Sequence, residues 1–145
     1  MTPPRIDRDT IQRRLRLMRD SLDRLETLRA ITATRLDAEP LTRAAAERLL
    51  QVIVDLAVDV NGHLVTAIRG SAPETGHASF IDLAACGVIT PEFSARLAPS
   101  AGLRNVLVHQ YVDIRTDLVA SSIDTTLEAF PAYIEAIAGY LIDHG

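Results

Sequence analysis

The 145-residue chain contains no lysine, one cysteine, seven glycines, seven prolines and only 4% aromatic residues. Each scarcity excludes something. A single cysteine rules out an intramolecular disulfide, and Cys86, within Leu83-Ala84-Ala85-Cys86-Gly87-Val88, reads as a small buried hydrophobe. So few glycines and prolines supply too few turns for a many-stranded sandwich. With 48% hydrophobic residues and few aromatics, the core has to be built from Leu, Ile, Val and Ala, which suits helices packed on helices. No apolar run approaches the roughly 20 residues of a membrane-spanning helix. The start, Met1-Thr2-Pro3-Pro4-Arg5, lacks the apolar stretch of a signal peptide. These readings predict one cytoplasmic domain over residues 1–145 that does not engage a membrane.

The net charge of −4 argues against a general nucleic-acid binder, but the charge is unevenly spread. Every basic residue is Arg, and residues 1–48 hold 11 Arg against 8 acids, whereas residues 49–145 hold 4 Arg against 11 acids. The Arg-rich part falls on the first long helix. It reads either as a solvated face of mixed ion pairs or as a local stripe attracting phosphate within an acidic protein.

Hydrophobic spacing predicts an all-α protein, an up-and-down helical bundle with long first, second and last helices. The first helix is expected from about Asp7 to Arg35, because Ile11, Leu15, Met18, Leu22 and Leu25 form a heptad seam that Leu28 and Ile31 extend. Pro40 breaks the chain and Leu41-Thr42 opens the second helix. Its Leu49, Leu50, Val52, Ile53, Leu56, Ala57, Val60, Leu64 and Ile68 are apolar around much of the circumference. Such a helix is buried on several sides or covered by a second subunit. Gly70–Gly76 reads as a loop. A short helix follows from about Ser79 to Cys86 with Gly87 as its stop, and Thr90-Pro91-Glu92 reads as the N-cap and first turn of another. Pro99–Gly102 interrupts that helix before the segment Leu103–Tyr111. Pro131 is expected to kink or restart the last helix. No strand, repeat or linker is evident.

The chemistry concentrates in Arg104-Asn105-Val106-Leu107-Val108-His109-Gln110-Tyr111. On a helix at 100° per residue, Asn105 and His109 share a face, Arg104 and Tyr111 are nearly eclipsed, and Arg104 and His109 stand about 140° apart. Arg104 and His109 therefore cannot converge from one straight helix. Either the helix ends or distorts near His109, or two copies of it form a shared cleft in a symmetric dimer. With an RNA phosphodiester in place, His109 would take the 2′-hydroxyl proton as general base. Arg104 would hold the phosphate and stabilise the charge growing on its oxygens. Asn105 would orient His109 or a phosphate oxygen. The four His and one Cys form no ligand pair such as His-x-x-x-His, so neither a metal nor a cofactor is expected.

Other polar residues read as structural. His63, among apolar neighbours, reads as a core or interface histidine. His77 reads as a solvated loop residue, and His144, at the end of the chain, carries no reading. Tyr133 and Tyr140 read as core or interface. Asp55 and Asp59, one turn apart, pass for a metal pair but are better explained by Arg partners from another helix. Asp113 and Asp117 are positioned to pair with Arg115 or Arg104.

At the Arg104, Asn105, His109 and Tyr111 positions the chain resembles the HepT-like toxins of the HEPN superfamily, which carry Arg-x4–6-His, often with Tyr two residues after the His. The likeness extends to the long first helix, to Val60-Asn61-Gly62-His63-Leu64, to Phe80-Ile81-Asp82-Leu83, to Gly87-Val88-Ile89 and to the lead-in Gly102-Leu103. The resemblance implies an all-helical homodimer with the motif at the dimer cleft, acting as a metal-independent endoribonuclease toxin on tRNA or mRNA. Arg104 and His109 would be catalytic and Asn105 supporting. The implied partner is a minimal nucleotidyltransferase antitoxin of the MntA type, which neutralises the toxin by transferring AMP to Tyr111. An alternative is a non-catalytic helical subunit that binds the nucleotidyltransferase or its nucleotide.

Overall fold

Helix α1 (Arg8–Glu26) begins where the Asp7 carboxylate accepts the Thr10 backbone N–H at 3.1 Å and the Thr10 hydroxyl at 2.7 Å, an N-cap for donors the first turn leaves unpaired. In this computed structural model residues 5–109 and 115–144 are described, His109 in its backbone alone. The readings that fall on Met1–Pro4, Tyr111 and Asp113 lie outside the described residues. The heptad seam of α1 is buried throughout, at Ile11, Leu15, Met18, Leu22 and Leu25.

The first helix is shorter than its stripe predicts. The chain tightens into successive bonds to the third residue back, at Leu28 N–H to Leu25 O and Arg29 N–H to Glu26 O. Ala30 then turns left-handed at φ 60°. That conformation costs a non-glycine residue roughly 1–2 kcal/mol. It is held from another helix, because Ala30 N–H donates to the Asp124 carboxylate at 2.9 Å. Thr32 restarts the chain as the N-cap of α2 (Ala33–Ala38). The continuing stripe concealed this corner: Ile31 is buried although it belongs to the turn.

Helix α3 (Pro40–Arg69) opens on proline, which fits the first helical position, and ends at the left-handed Gly70 (φ 85°). It packs against α1, α2, α4, α6 and α7, which accounts for its apolar circumference. Its length and composition alone would let it cross a membrane; in this fold it is the central helix, with Leu50, Ile53, Ala57, Val60 and Leu64 fully or almost fully buried.

Helix α4 (Gly76–Ala85) starts three residues earlier than its sequence signals. Thr75 caps it through the Ala78 N–H at 3.0 Å, and Gly76 comes so close to α3 that a Cβ there would meet Val58 at 3.3 Å. It ends as expected at Gly87 (φ 80°). Val88 N–H bonds to Leu83 O and Gly87 N–H to Ala84 O, the paired bonds of a Schellman stop. Cys86 is half-buried rather than buried, and burial pushes its thiol pKa up, away from the reactive thiolate. Thr90, capping through Phe93 N–H, opens α5 (Pro91–Leu97), and α6 runs Pro99–His109. Pro99–Gly102 forms the first turn of α6 rather than a longer interruption.

Helix α7 (Thr116–Asp143) runs through Pro131 as one element, with Phe130 and Tyr133 buried on either side of it. The described residues contain helices and no strand. Buried side chains from all seven helices join one hydrophobic cluster.

Inside that cluster runs a polar chain. The Tyr133 hydroxyl donates to Asn61 Oδ1 at 2.6 Å, Asn61 Nδ2 donates to Ser79 Oγ at 3.1 Å, and the Ser79 hydroxyl donates to Gly76 O at 2.6 Å. It ties α7 to α3 and α4 with Tyr133 and Asn61 fully buried. Desolvation holds the Tyr133 phenol well above its ordinary pKa, so it stays a donor. Removing that donor strands a buried amide oxygen, at about 1–3 kcal/mol. Tyr133→Phe is therefore expected to lower the unfolding free energy by that amount, seen as a lower urea midpoint with an unchanged m-value.

Candidate functional site

Arg104 sits on the second turn of α6, a helix anchored by its buried Ala101. The Ser100 hydroxyl donates to Leu97 O at 2.5 Å across the α5–α6 corner. From there Arg104 reaches across to α3, where its Nε donates to Asp55 Oδ1 at 2.5 Å. Both side chains remain partly exposed, Arg104 at 30% and Asp55 at 41%. A pair this wet adds little stability. What it supplies is orientation. Five N–H donors project from a guanidinium, and engagement through Nε leaves the two terminal amino groups as a fork suited to a phosphate.

Asn105 is exposed, and position 109 lies one helical turn further along the same face. The backbone is helical without interruption from Pro99 to His109. Distortion between Arg104 and His109 is thereby removed, whereas the helix end expected near His109 is found, α6 stopping at that residue; the two backbone positions stand about 140° apart.

The outer face of α3 continues the polar line from Asp55. One turn on, Asp59 is ion-paired with Arg14 of α1, and one turn beyond that His63 Nε2 lies 3.6 Å from Asp59 Oδ2. The aspartates thus take Arg partners from other helices, as their spacing predicts, and Asp55 proves to hold the motif arginine itself. Arg104 does not pair with Asp117, which instead receives Arg115 at 2.5 Å; that contact lowers the Asp117 carboxyl pKa. Among the described residues no group of three His, Cys, Asp or Glu is arranged to hold a metal.

His63 is not a core histidine. Its side chain is 39% exposed and lines a surface cavity of about 430 Å³ with Arg5, Asp7, Val58, Asp59 and Thr66. The apolar neighbours that suggested burial lie on the opposite side of α3: Leu64 and Val65 are buried while His63 faces out. His77 is exposed, though on the first turn of α4 rather than in a loop. Tyr133 is core as expected. Tyr140 is half-buried and stacks on His144 with ring centroids 3.9 Å apart, a contact that sequence spacing did not reveal. Sequence reasoning also missed the role of Asn61; a lone Asn on the most apolar helix was its signal.

Residues 18–137 match the family described as Ribonuclease HepT-like. The chain is 36% identical over 132 residues to a tRNA nuclease HepT of Aphanizomenon flos-aquae, covering 91% of this chain and 90% of that protein. It is 31% identical over 88 residues to an mRNA nuclease HepT of Shewanella oneidensis, covering 61% of this chain and 66% of the other. Its fold is similar to that of a tri-AMPylated Shewanella oneidensis HEPN toxin solved in complex with an MNT antitoxin, with a TM-score of 0.81 and 23% identity over 90% of this chain and 98% of that one. A cytosolic protein of unknown function from Bacillus subtilis is similar at a TM-score of 0.80 and 17% identity, covering 94% of this chain and 91% of that one.

Proposed function

The chain belongs to the HepT-like ribonuclease family, and from that premise we propose that it is an endoribonuclease toxin of a toxin–antitoxin pair, with Arg104 and His109 as its catalytic residues. The observation that carries the assignment is the Asp55–Arg104 contact, which aims a phosphate-binding fork out of α6 within the very motif whose His can move a proton. His109 takes the proton of the 2′-hydroxyl, the 2′ oxygen attacks phosphorus, and Arg104 stabilises the negative charge on the phosphorane oxygens. The bond to the 5′ oxygen breaks, that oxygen takes up a proton, and the products are a 2′,3′-cyclic phosphate and a 5′-hydroxyl. Every step uses side chains of this chain, so cleavage is expected to persist in EDTA. DNA, lacking the 2′-hydroxyl, is expected to be inert. Asn105, exposed beside Arg104, is placed to orient the imidazole or a phosphate oxygen.

The angular separation of Arg104 and His109 on an unbroken helix favours a composite site. The chain then works as a single up-and-down domain in a homodimer, each copy contributing groups to a shared cleft. The partner is an MntA-type minimal nucleotidyltransferase that silences the toxin by adding AMP to Tyr111. The substrate is tRNA or mRNA, with tRNA the first to test because the tRNA-cleaving relative matches over 91% of the chain. Purified protein incubated with tRNA in EDTA should yield fragments ending in 2′,3′-cyclic phosphate. Intact RNA at high enzyme concentration would remove the ribonuclease assignment.

Asp55 acts through Arg104 as a positioning residue. Asp55→Ala is expected to lower kcat on the order of tenfold, about 1.4 kcal/mol of transition-state stabilisation, while KM changes little. Asp55→Glu, which keeps the acceptor, should recover part of the loss. A parallel fall in thermal stability without a kcat effect would make the pair structural instead.

A further inference from the structure

At the junction of the N-terminus of α1 and the C-terminus of α7, Arg5, Ile6, Arg8 and His144 line a cavity of about 530 Å³. The charges lining it are of one sign. Arg8 Nη1 is buried and has no hydrogen-bond partner, an expensive condition for a guanidinium N–H and one that an incoming acceptor would relieve. Among the described residues no salt bridge with an acidic side chain engages Arg5 or Arg8, unlike Arg14, which is paired with Asp59. The nearest acid in sequence between them, Asp7, is committed to the Thr10 N–H and hydroxyl. His144 closes the site, its ring fixed by stacking on Tyr140.

Arg5 also lines the neighbouring cavity that contains Asp59 and His63, and those residues lie one and two turns from Asp55, which holds Arg104. Asp55 to His63 is eight residues, about 12 Å of helix, and the cationic cavity lies beyond. At roughly 3.4 Å per stacked nucleotide the span is at least three to four nucleotides.

We propose that Arg5, Arg8 and His144 form a binding site for a backbone phosphate of the RNA substrate, several nucleotides from the bond that is cut. The proposal rests on the ribonuclease reading. It offers a chain of net charge −4 a local cationic foothold for RNA: Arg5 and Arg8 line one cavity together, with no carboxylate in its lining. A strand must reach both ends of the α3 face to gain the full affinity, so chain length becomes part of substrate selection.

The test compares wild type with Arg5→Gln/Arg8→Gln on a long single-stranded RNA and on a dinucleotide. The double variant is expected to raise KM for the long RNA roughly tenfold with kcat unchanged, and to leave dinucleotide cleavage unchanged. Losing one phosphate contact should also lower the slope of log affinity against log salt by about 0.7. Binding is measured in a His109→Ala background, so that an absence of nuclease activity in wild type would sink the cleavage assignment without deciding the subsite. Arg8→Lys should restore the salt slope. Arg5→Gln alone alters an exposed loop residue and guards against a folding defect in the double variant. Unchanged RNA affinity and slope in folded variants would overturn the proposal. So would an equal loss on the dinucleotide, or inorganic phosphate binding that depends on Arg5 and Arg8 while RNA affinity does not.

Discussion

His109→Ala protein is expected to cleave RNA about 10²–10⁴ times more slowly than wild type, the range spanned by loss of a positioned general base. The 2′-hydroxyl is a weak nucleophile until its proton has somewhere to go, and His109 is the one motif residue that can accept it near neutral pH. Arg104→Ala should cost about 10²–10³ in kcat, the usual effect of deleting a donor aimed at a developing oxyanion. The two losses should not add, because base and oxyanion stabiliser serve the same transition state. Arg104→Lys should rescue poorly: a lysine ammonium is a point charge and cannot hold Asp55 through one nitrogen while offering a planar fork to phosphate. Initial rates on tRNA in EDTA, with circular dichroism to establish folding, check all three variants. A folded His109→Ala protein with the wild-type rate would remove the proposed mechanism.

Tyr111→Phe is expected to abolish AMP transfer while leaving ribonuclease activity close to wild type. In the proposed transfer the phenolic oxygen is the nucleophile for the AMP phosphorus, and phenylalanine has none. Position 111 follows Arg104 by seven residues in the sequence, and an added nucleotide is expected to bring negative phosphate and a bulky base towards the phosphate-binding fork and block RNA by charge and by volume. Wild type incubated with the nucleotidyltransferase and ATP should gain AMP by mass spectrometry and lose nuclease activity. The Tyr111→Phe protein should gain nothing and remain toxic when both genes are expressed. AMP addition persisting in this variant would move the acceptor elsewhere.

The helical class, the seam of α1, the cap at Thr90 and the stop at Gly87 were all legible because each depends on neighbours three or four residues away. The corner at Ala30 was not: it is held by Asp124 from α7, and nothing in the stripe Leu25, Leu28, Ile31 announces that contact. The core half of the His63 reading fails for a related reason, its side chain being exposed. Apolar neighbours in sequence do not share its side of the helix, so its exposure depends on where α1 packs. The aspartates of α3 show the intermediate case. Their spacing required cationic partners, but the choice of Arg104 for Asp55 and Arg14 for Asp59 required knowing which helices lie alongside α3.

By itself, then, the sequence determined the chemical kit and the secondary structure: an Arg, an amide, a His and a Tyr within eight residues, on helices specified by local periodicity, caps and breakers. Tertiary structure alone decided which arginines are neutralised and which stay unpaired, that the motif arginine is oriented by Asp55, and that the helix carrying Arg104 and His109 is unbroken between them. The physical reason is range. Helix signals act over a few residues, whereas ion-pair partners such as Asp55 and Arg104, 49 residues apart, meet only when the packing of the core has brought their helices together.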